Sequence, residues 1–519
     1  MTLDTVILHG TLIDGTGAPR RPAAVGIRGR RVVSVGAAAG PAKRVIDAEG
    51  LVVAPGFIDI HTHSCAALLA DPRGLSALHQ GVTTHVVGNC GMSIWPAADM
   101  IRPFLERYGV ERDWTDLAGY ASRLRRRGTG VNLAPLVGHG TVRAMVVGED
   151  DREPTPAELE WMKGLVAHAM EQGAFGLSTG LTYAPGCFAT PTEIAALAGV
   201  AARYGGYYAT HLRNEGGGLA DAVQEAIAIG ERAKVPVEIS HLKAADRRWW
   251  GRVGEVLAAL DRARAKGIDV AWDQYPYTAT STGLDFFIPA WAHAGGAQEM
   301  KKRLRADDTR RRILAEMRRS GKNWSEVLII GCPEHPEWQQ LTPPEIGARL
   351  GLGPEEAILE VVASETGEVK MANFAMCEED VESILRHPVT LVGSDGVAAA
   401  AEGPIGHLRF HPRSYGTFPR VLGRYVRERG VLSLEEALRK MTSAPARRLG
   451  LSDRGVLREG MRADITVFDP ARVADRATFE DPQRYPEGIV YVLVNGEPVL
   501  EEGRFTGRLA GELLVRGAG

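Results

Sequence analysis

Eight short apolar segments, spread between residues 53 and 395 and separated by stretches of helical periodicity, constrain the fold of this chain most strongly. Apolar segments that alternate with helical patterns are typical of βα units and a parallel sheet. Eight such units predict an α/β fold, a (β/α)8 barrel of the TIM type. The length of 519 residues is sufficient for such a barrel with additional elements.

Polar residues stand at or near the ends of these eight candidate strands. The eight positions are His61, Cys90, His139, Thr179, His211, His241, Tyr275 and Asp395. The catalytic groups of a (β/α)8 barrel lie at the carboxyl ends of its strands. Burying His, Cys or Asp there costs several kcal/mol unless each finds a partner or a metal. The strand ends therefore predict an active site.

The two ends of the chain differ from its middle. Residues 1–54 and 455–519 consist of short β-type segments with turn signals such as Asp14-Gly15 and Asn495-Gly496, which predicts one small β-sandwich built from both termini. Residues 55–454 form the predicted catalytic barrel. Residues 285–388 are too long for one crossover, and their charged helical pattern predicts an inserted subdomain. We place it over the barrel mouth; a peripheral position without bearing on chemistry stays open.

Charge and hydropathy exclude several classes of partner. The net charge is −3 and no dense basic run is present, so no nucleic-acid partner is expected. No apolar stretch approaches the roughly 20 residues that span a bilayer, and the first residues lack a signal-peptide pattern. Five scattered cysteines predict reduced thiols rather than disulfides. A cytoplasmic protein without membrane contact is expected.

A metal site is predicted from histidines and a cysteine at the strand ends. His61 and His63 are two residues apart, so on an extended strand both side chains project to one face, as a chelating pair requires. An H-x-H pair alone is weak evidence, but His211, His241 and Asp395 end other strands. Free cysteine is often a small buried hydrophobe. At the end of the second strand, however, a Cys90 thiolate would lie beside the His pair.

Several motifs resemble the amidohydrolase superfamily, and within it the N-acyl-D-amino-acid deacylases (D-aminoacylases). The motifs are G-F-I-D-I-H-T-H at 56–63, G-V-T-T at 81–84, G-N-C-G at 88–91, T-H-L-R at 210–213, I-S-H-L-K at 239–243 and H-P-R at 411–413. The resemblance implies zinc-dependent hydrolysis of the linear amide of N-acyl-D-amino acids, giving a carboxylate and a free D-amino acid. It also implies a monomer.

The resemblance further implies roles for individual residues. Cys90, His211 and His241 would hold one zinc tightly, and His61, His63 and Asp395 would form a weaker second site. Asp395 would transfer protons during catalysis. Lys243, Arg413 and Tyr183 would bind the α-carboxylate of an anionic substrate, for which an Arg fork and a Lys charge are well suited. The bridging lysine that many superfamily members carry on the fourth strand is absent here, and Cys90 would take its place.

Alternatives stay open at this point. Lys243 and Arg413 could instead pair with structural carboxylates, and His139 is equally compatible with a structural and a supporting role. A cyclic-amide hydrolase of the hydantoinase or dihydroorotase type and a non-catalytic barrel scaffold are the competing functions. Ser64-Cys65 stands where the family often has an acidic residue, and the small-residue loop 397–406 leaves the side-chain preference undetermined.

Overall fold

All eight predicted strands are present in the computed structural model, which describes residues 2–36 and 41–517. They pair in parallel and in chain order: Phe57–Asp59, Val82–Val87, Asn132–Pro135 continued by Val137–Gly138, Gly176–Gly180, Tyr207–His211, Val237–Ile239, Val270–Gln274 and Leu391–Val392. A parallel bridge from Thr62 to Gly396 connects the end of the last strand with the end of the first. The mixed α/β architecture with parallel strands is thus confirmed.

Helices follow most of the parallel strands, and capping residues define where they begin. Thr155 forms a capping box with Glu158, and Thr190 accepts a hydrogen bond from the Glu193 backbone N–H. The helices that cover these strands are Ala67–Ala70, Leu75–His79, Arg102–Arg107, Leu117–Arg127, His139–Val146, Pro156–Glu171, Pro191–Arg203, Leu219–Ala233, Val253–Ala265, Glu378–Arg386, Arg413–Arg420, Val421–Glu428, Leu434–Met441 and Ser443–Leu449. In the described residues, 2–36 and 41–517, no helix is long and apolar enough to cross a bilayer.

The side chains of the parallel strands alternate between two hydrophobic cores. One set, which includes Ile58, Val86 and Ala209, packs on one side of the strands. The opposite set, which includes Val87, Leu177 and Tyr208, packs against the helices. Because successive strand residues point to opposite faces, both faces must be apolar when both are covered. This arrangement explains why the strands are nearly continuous apolar segments.

Strands from both chain termini share two sheets. A seven-stranded sheet runs in the order Arg504–Phe505, Glu497–Glu501, Ile489–Val494, Ile465–Phe468, Val52–Pro55, Thr11–Leu12 and Arg21–Pro22, and a four-stranded sheet runs Arg31–Gly36, Ala24–Arg28, Leu3–Leu8 and Ala42–Asp47. Ile7 and Val25 of the smaller sheet share a core with Val53, Ile465 and Leu493 of the larger one. The two termini therefore form a common β-structure.

The inserted segment contains a sheet as well as helices. Strands Thr280–Gly283, Lys370–Asn373 and Val327–Gly331 pair in antiparallel order, with helices Gly296–Arg305, Asp307–Arg319, Pro343–Leu350 and Pro354–Ser364 around a separate core. The sequence had predicted only charged helices here. The helix Glu378–Arg386 instead contacts Val270–Gln274, one of the parallel strands.

Candidate active site

Six side chains predicted as ligands meet at the carboxyl ends of the parallel strands. We call them the strand-end cluster: His61, His63, Cys90, His211, His241 and Asp395. His211 ends a strand and the other five follow a strand end within four residues, so the sheet brings together residues that are far apart in sequence. Within the described chain, two groups offer ligand atoms that all lie within 4.8 Å of one another, namely His61, Cys90, His241 and Asp395, and also His211, Glu215 and His241.

Cys90 lies at the centre of the cluster. Its Sγ is 3.3 Å from His61 Nε2, 3.8 Å from His211 Nδ1 and 3.5 Å from His241 Nε2. Burial raises the pKa of the Cys90 thiol, but the neighbouring histidines lower it by more than burial raises it. The pKa is therefore well below its usual value. The side chain is therefore poised as a thiolate among three imidazoles.

The distances around Cys90 fit a zinc ion. With Zn–S near 2.3 Å and Zn–N near 2.05 Å, a tetrahedral site separates sulfur and nitrogen ligands by about 3.5 Å. The three separations from Sγ to the histidine nitrogens, between 3.3 and 3.8 Å, bracket that value. Thiolate and imidazole are also ligand types that zinc prefers. The donor set therefore fits this metal.

Asp395 connects the histidine pair with Arg413. Its Oδ1 is 3.0 Å from His63 Nε2 and 3.5 Å from His61 Nε2, and its Oδ2 is 2.9 Å from Arg413 Nη1. Burial raises the pKa of the carboxyl, but Arg413, His241 and His63 lower it more strongly, to well below the usual value. These neighbours therefore stabilise the ionised form of the Asp395 carboxyl group.

Three cluster residues have left-handed backbones. The φ angles are 52° at Cys90, 37° at His241 and 49° at Asp395. Non-glycine residues rarely adopt this region, and such strain persists where the surroundings enforce it, commonly at active sites. The backbone hydrogen bonds of His241 and Asp395 show this enforcement: the first donates to the Asp273 carboxylate and the second to the His61 carbonyl.

The fourth strand has no room for a side chain next to Cys90. A Cβ added at Gly180 would collide with the Cys90 carbonyl oxygen. Thr179, the residue before it, donates to Thr210 and shares a hydrogen bond with the Tyr208 hydroxyl. The strand thus packs its glycine against the cysteine loop, in agreement with the absence of a lysine from this strand.

The three residues predicted to bind substrate surround the cluster. Lys243 is buried and donates to Glu215, with its Nζ also 2.7 Å from His241 Nδ1. Arg413 pairs with Asp395 and lies 4.8 Å over the Tyr275 ring. The Tyr183 ring is 4.9 Å from the His211 ring. Both cations lie beside the strand-end cluster, and each has a carboxylate partner in this structure.

The sequence interpretation missed two carboxylates beside the ligands. Glu215 Oε1 is 3.0 Å from His241 Nδ1, and Glu215 Oε2 is 3.5 Å from His211 Nε2. Asp273 Oδ2 is 3.3 Å from His61 Nδ1. A signal existed for Asp273, because a carboxylate inside an otherwise apolar strand needs a partner. Glu215 gave only its position four residues after His211.

Three further histidines, His139, His293 and His335, lie outside the strand-end cluster. His139 is buried and its Nε2 is 2.8 Å from Glu193 Oε1, while the other Glu193 oxygen accepts from Arg143. His293 faces Asp285 at 3.9 Å, and His335 faces Glu337 at 2.9 Å. Of the two roles open to His139, these contacts favour the structural one.

Ser64-Cys65 and the loop 397–406, where the sequence departs from the family pattern, are in contact. The Ser64 hydroxyl is 2.9 Å from His85 Nδ1 and accepts a hydrogen bond from the Ala398 backbone N–H, so it ties the 397–406 loop to the first strand. Cys65 is buried, and burial raises the pKa of its thiol to about 12. This second cysteine is therefore a neutral core residue.

A model of the amidohydrolase family matches residues 44–500. The chain belongs to the amidohydrolase family. Two relatives from Alcaligenes xylosoxydans xylosoxydans align with nearly all of this amidohydrolase. D-aminoacylase is 39% identical over 520 residues, which is 99% of this chain and 98% of that protein. N-acyl-D-glutamate deacylase is 40% identical over 497 residues, which is 95% of this chain and 93% of that protein. The resemblance to N-acyl-D-amino-acid deacylases is thus confirmed.

Solved structures give the same grouping. N-acyl-D-glutamate deacylase from Bordetella bronchiseptica, crystallised with zinc and a phosphonate mimic of the tetrahedral intermediate, has a TM-score of 0.86 and 37% identity, covering 99% of this chain and 100% of that chain. A D-hydantoinase structure is 16% identical with a TM-score of 0.56, so the likeness extends to the fold alone. The amidohydrolase described here is therefore a metal-dependent enzyme closer to the deacylases than to the hydantoinases.

Proposed function

We propose that this amidohydrolase hydrolyses the linear amide of N-acyl-D-amino acids to a carboxylate and a free D-amino acid. The observation that carries the proposal is the Cys90 thiolate among three histidines, with the Asp395 carboxylate beside it and two buried cations at the rim. The relatives whose names specify this reaction align with nearly the full chain. A non-catalytic scaffold would have no need to keep this set of ligands together.

Cys90, His211 and His241 would hold one zinc ion tightly, and His61, His63 and Asp395 would form a weaker second position. When bound, zinc supplies a Lewis acid that activates water near neutral pH and polarises the scissile carbonyl. The 3.3 Å contact between Cys90 Sγ and His61 Nε2 supports a thiolate that lies between the two proposed positions. Metal analysis of the active enzyme determines the number of zinc ions per chain and so tests the two proposed positions.

Glu215 and Asp273 are proposed to fix the histidine tautomers. A neutral imidazole carries one N–H, so a ring nitrogen that binds metal requires the proton on the other nitrogen. In His241 and His211 the nitrogen turned away from Cys90 faces Glu215, and in His61 it faces Asp273. Carboxylates that accept these protons orient metal-binding histidines. Glu215 is therefore proposed to orient His211 and His241 rather than to bind a metal itself, and the Lys243 ammonium lies beside it.

Replacing Glu215 by glutamine is expected to weaken zinc binding by about 10- to 100-fold. The amide keeps the size of the side chain but removes the charge on which two histidines and Lys243 depend. Zinc retention against a competing chelator measures the effect without turnover. Glu225→Gln is the matched control, since that carboxylate binds Arg213. Unchanged zinc affinity in the Glu215 variant would show that the carboxylate has no part in holding the ligands.

Lys243, Arg413 and Tyr183 are proposed to bind the substrate α-carboxylate. An arriving carboxylate would exchange partners with Glu215 at Lys243 and with Asp395 at Arg413, so the two cations that receive it are already in place. Losing the Arg413 contact frees Asp395 to accept a proton from the attacking water. The same carboxyl then delivers it to the departing amine. Asp395 is thus the proposed catalytic acid and base.

The substrate proposal is tested with a panel of N-acetyl-D- and N-acetyl-L-amino acids. We expect kcat/KM for the D-series to exceed that for the matched L-series by at least about 100-fold, because a chiral centre held at its carboxylate and its acyl carbon presents the wrong group to the pocket when inverted. Hydantoin and dihydroorotate are the control substrates. Turnover of these cyclic amides, with none of N-acetyl-D-amino acids, would establish the cyclic-amide alternative instead.

The finer architecture is proposed on the same grounds. The Thr62–Gly396 bridge supports a closed (β/α)8 barrel, and the shared core of the two terminal sheets supports a β-sandwich. We propose residues 55–454 as the catalytic domain, with an insertion at about 285–388, and residues 1–54 with 455–519 as the small domain. A position of the insertion over the barrel mouth, a monomeric state and a cytoplasmic location remain predictions.

A further inference from the structure

A cavity of about 400 Å³ opens at the amino-terminal ends of the parallel strands, away from the strand-end cluster. Tyr207, one of its lining residues, begins the strand whose last residue is His211, so the cavity and the strand-end cluster lie at opposite ends of that strand. We call it the arginine cavity, because five arginines line it: Arg264, Arg439, Arg447, Arg448 and Arg516. Asp269 is the one acidic residue among the described residues that line it.

Three of the five guanidinium groups form no ion pair with a carboxylate in the part of the chain that the structure describes. Arg264 donates to the Val270 carbonyl, Arg447 to the Ser443 hydroxyl, and Arg516 to the carbonyls of Leu449 and Gly205. No ion pair of these three arginines is found over residues 2–36 and 41–517. The other two are balanced: Arg448 pairs with Glu238 and Asp269, and Arg439 pairs with Glu436.

These contacts hold the guanidinium groups in place while leaving donors free. A guanidinium has five N–H donors, and one or two carbonyl contacts use only some of them. Partial burial lowers the pKa of Arg516, and partial burial together with the nearby Arg439 lowers the pKa of Arg447, with Glu436 acting in the opposite direction. Both charges are therefore incompletely compensated, and a bound anion would compensate them.

The Tyr207 hydroxyl is an independent sign of a ligand. Tyr207 is 1% exposed, and its hydroxyl has no hydrogen-bond partner among the described residues. Leaving a buried polar group unsatisfied costs about 1–3 kcal/mol, and native proteins seldom do so. The same residue lines the cavity. The lining of the cavity therefore combines a buried tyrosine whose hydroxyl lacks a partner with several cationic side chains.

We propose that the arginine cavity binds a small oxyanion, a phosphate or a carboxylate compound, at a site separate from catalysis. Guanidinium groups fit such anions because their paired N–H donors match two oxygens at once, and arginine remains charged at every physiological pH. The Tyr207 hydroxyl would donate to a further oxygen. Because Arg447 is exposed at the rim, an anion can enter from solvent.

Calorimetric titration of the zinc-loaded full chain with inorganic phosphate and with succinate tests the proposal. One binding event is expected in the wild type, with affinity reduced at least about 10-fold in Arg447→Gln/Arg516→Gln and about 3- to 10-fold in Tyr207→Phe. The single Arg447→Gln variant, at an exposed position, gives the same direction with the least disturbance of folding. Arg458→Gln, another exposed arginine, is the control expected to bind as the wild type does.

The comparison of the two anions identifies the ligand class: tighter phosphate binding assigns a phosphate ester, and tighter succinate binding assigns a polycarboxylate. Absence of binding in the wild type overturns the proposal. So does binding that survives in the Arg447/Arg516 variant but is lost in Arg413→Gln, since the anion would then occupy the catalytic site. Amide hydrolysis should be unchanged in the cavity variants, which separates this result from a failure of the proposed function.

Discussion

Asp395→Asn is expected to lower kcat by about 1,000-fold, within the range that general acid–base catalysis contributes. The amide is nearly isosteric with the carboxylate but has no basicity, so it cannot take a proton from water or return one to the amine. KM should change much less than kcat, provided that Arg413 still binds the substrate. Steady-state kinetics on an N-acetyl-D-amino acid measure both quantities.

The control for this change is Asp475→Asn, which alters a carboxylate paired with Arg420 away from the strand-end cluster. Zinc content should remain that of the wild type in both variants if Cys90, His211 and His241 are the tight ligands. Full turnover by Asp395→Asn would exclude the proposed proton transfer. A large rise in KM with unchanged kcat would instead identify Asp395 mainly as the residue that holds Arg413 in place.

Cys90→Ser is expected to abolish measurable turnover and to weaken zinc binding by on the order of 100-fold or more. A structural zinc site with four ligands binds with roughly 10–16 kcal/mol, so losing one thiolate removes a substantial fraction of that free energy. The hydroxyl has a far higher pKa than a thiol and stays protonated among the histidines. Metal analysis and chelator competition provide the measurement.

Cobalt substitution adds a direct readout of the sulfur ligand. The wild type loaded with Co²⁺ should show a thiolate-to-cobalt charge-transfer absorption band, and Cys90→Ser should lack it. Cys377→Ser is the matched control, because that thiol hydrogen-bonds to Asp380 outside the strand-end cluster. If the band persisted in Cys90→Ser, another cysteine would be the ligand and the assignment of the tight site would be wrong.

The sequence predicted the regular elements where local signals are strong. The helices Pro156–Glu171 and Pro191–Arg203 begin where a threonine followed by proline marks the first turn, which is a local signal. The three-stranded sheet of the insertion was not predicted. Its strand Thr280–Gly283 is short and has no apolar alternation, so it is defined by pairing with a strand about ninety residues away.

The same distinction applies to the two sites. The strand-end cluster was predictable because parallel strands bring their carboxyl ends together, which turns sequence position into spatial proximity. The position of Glu215 in the site was not predictable, because its contacts with His241 and Lys243 form only in the folded chain. The arginine cavity gave no sequence signal at all, because its cations come from separate helices and from the C-terminal segment.

The left-handed backbones of Cys90, His241 and Asp395 have a consequence for attempts to engineer the enzyme. Strain of this kind costs roughly 1–3 kcal/mol per residue. A selection for heat resistance alone would therefore favour glycine at these three positions, because glycine adopts the left-handed region without strain. Each such gain would remove a proposed metal ligand or the proposed proton carrier, so thermostability screens on this enzyme need a simultaneous selection for activity.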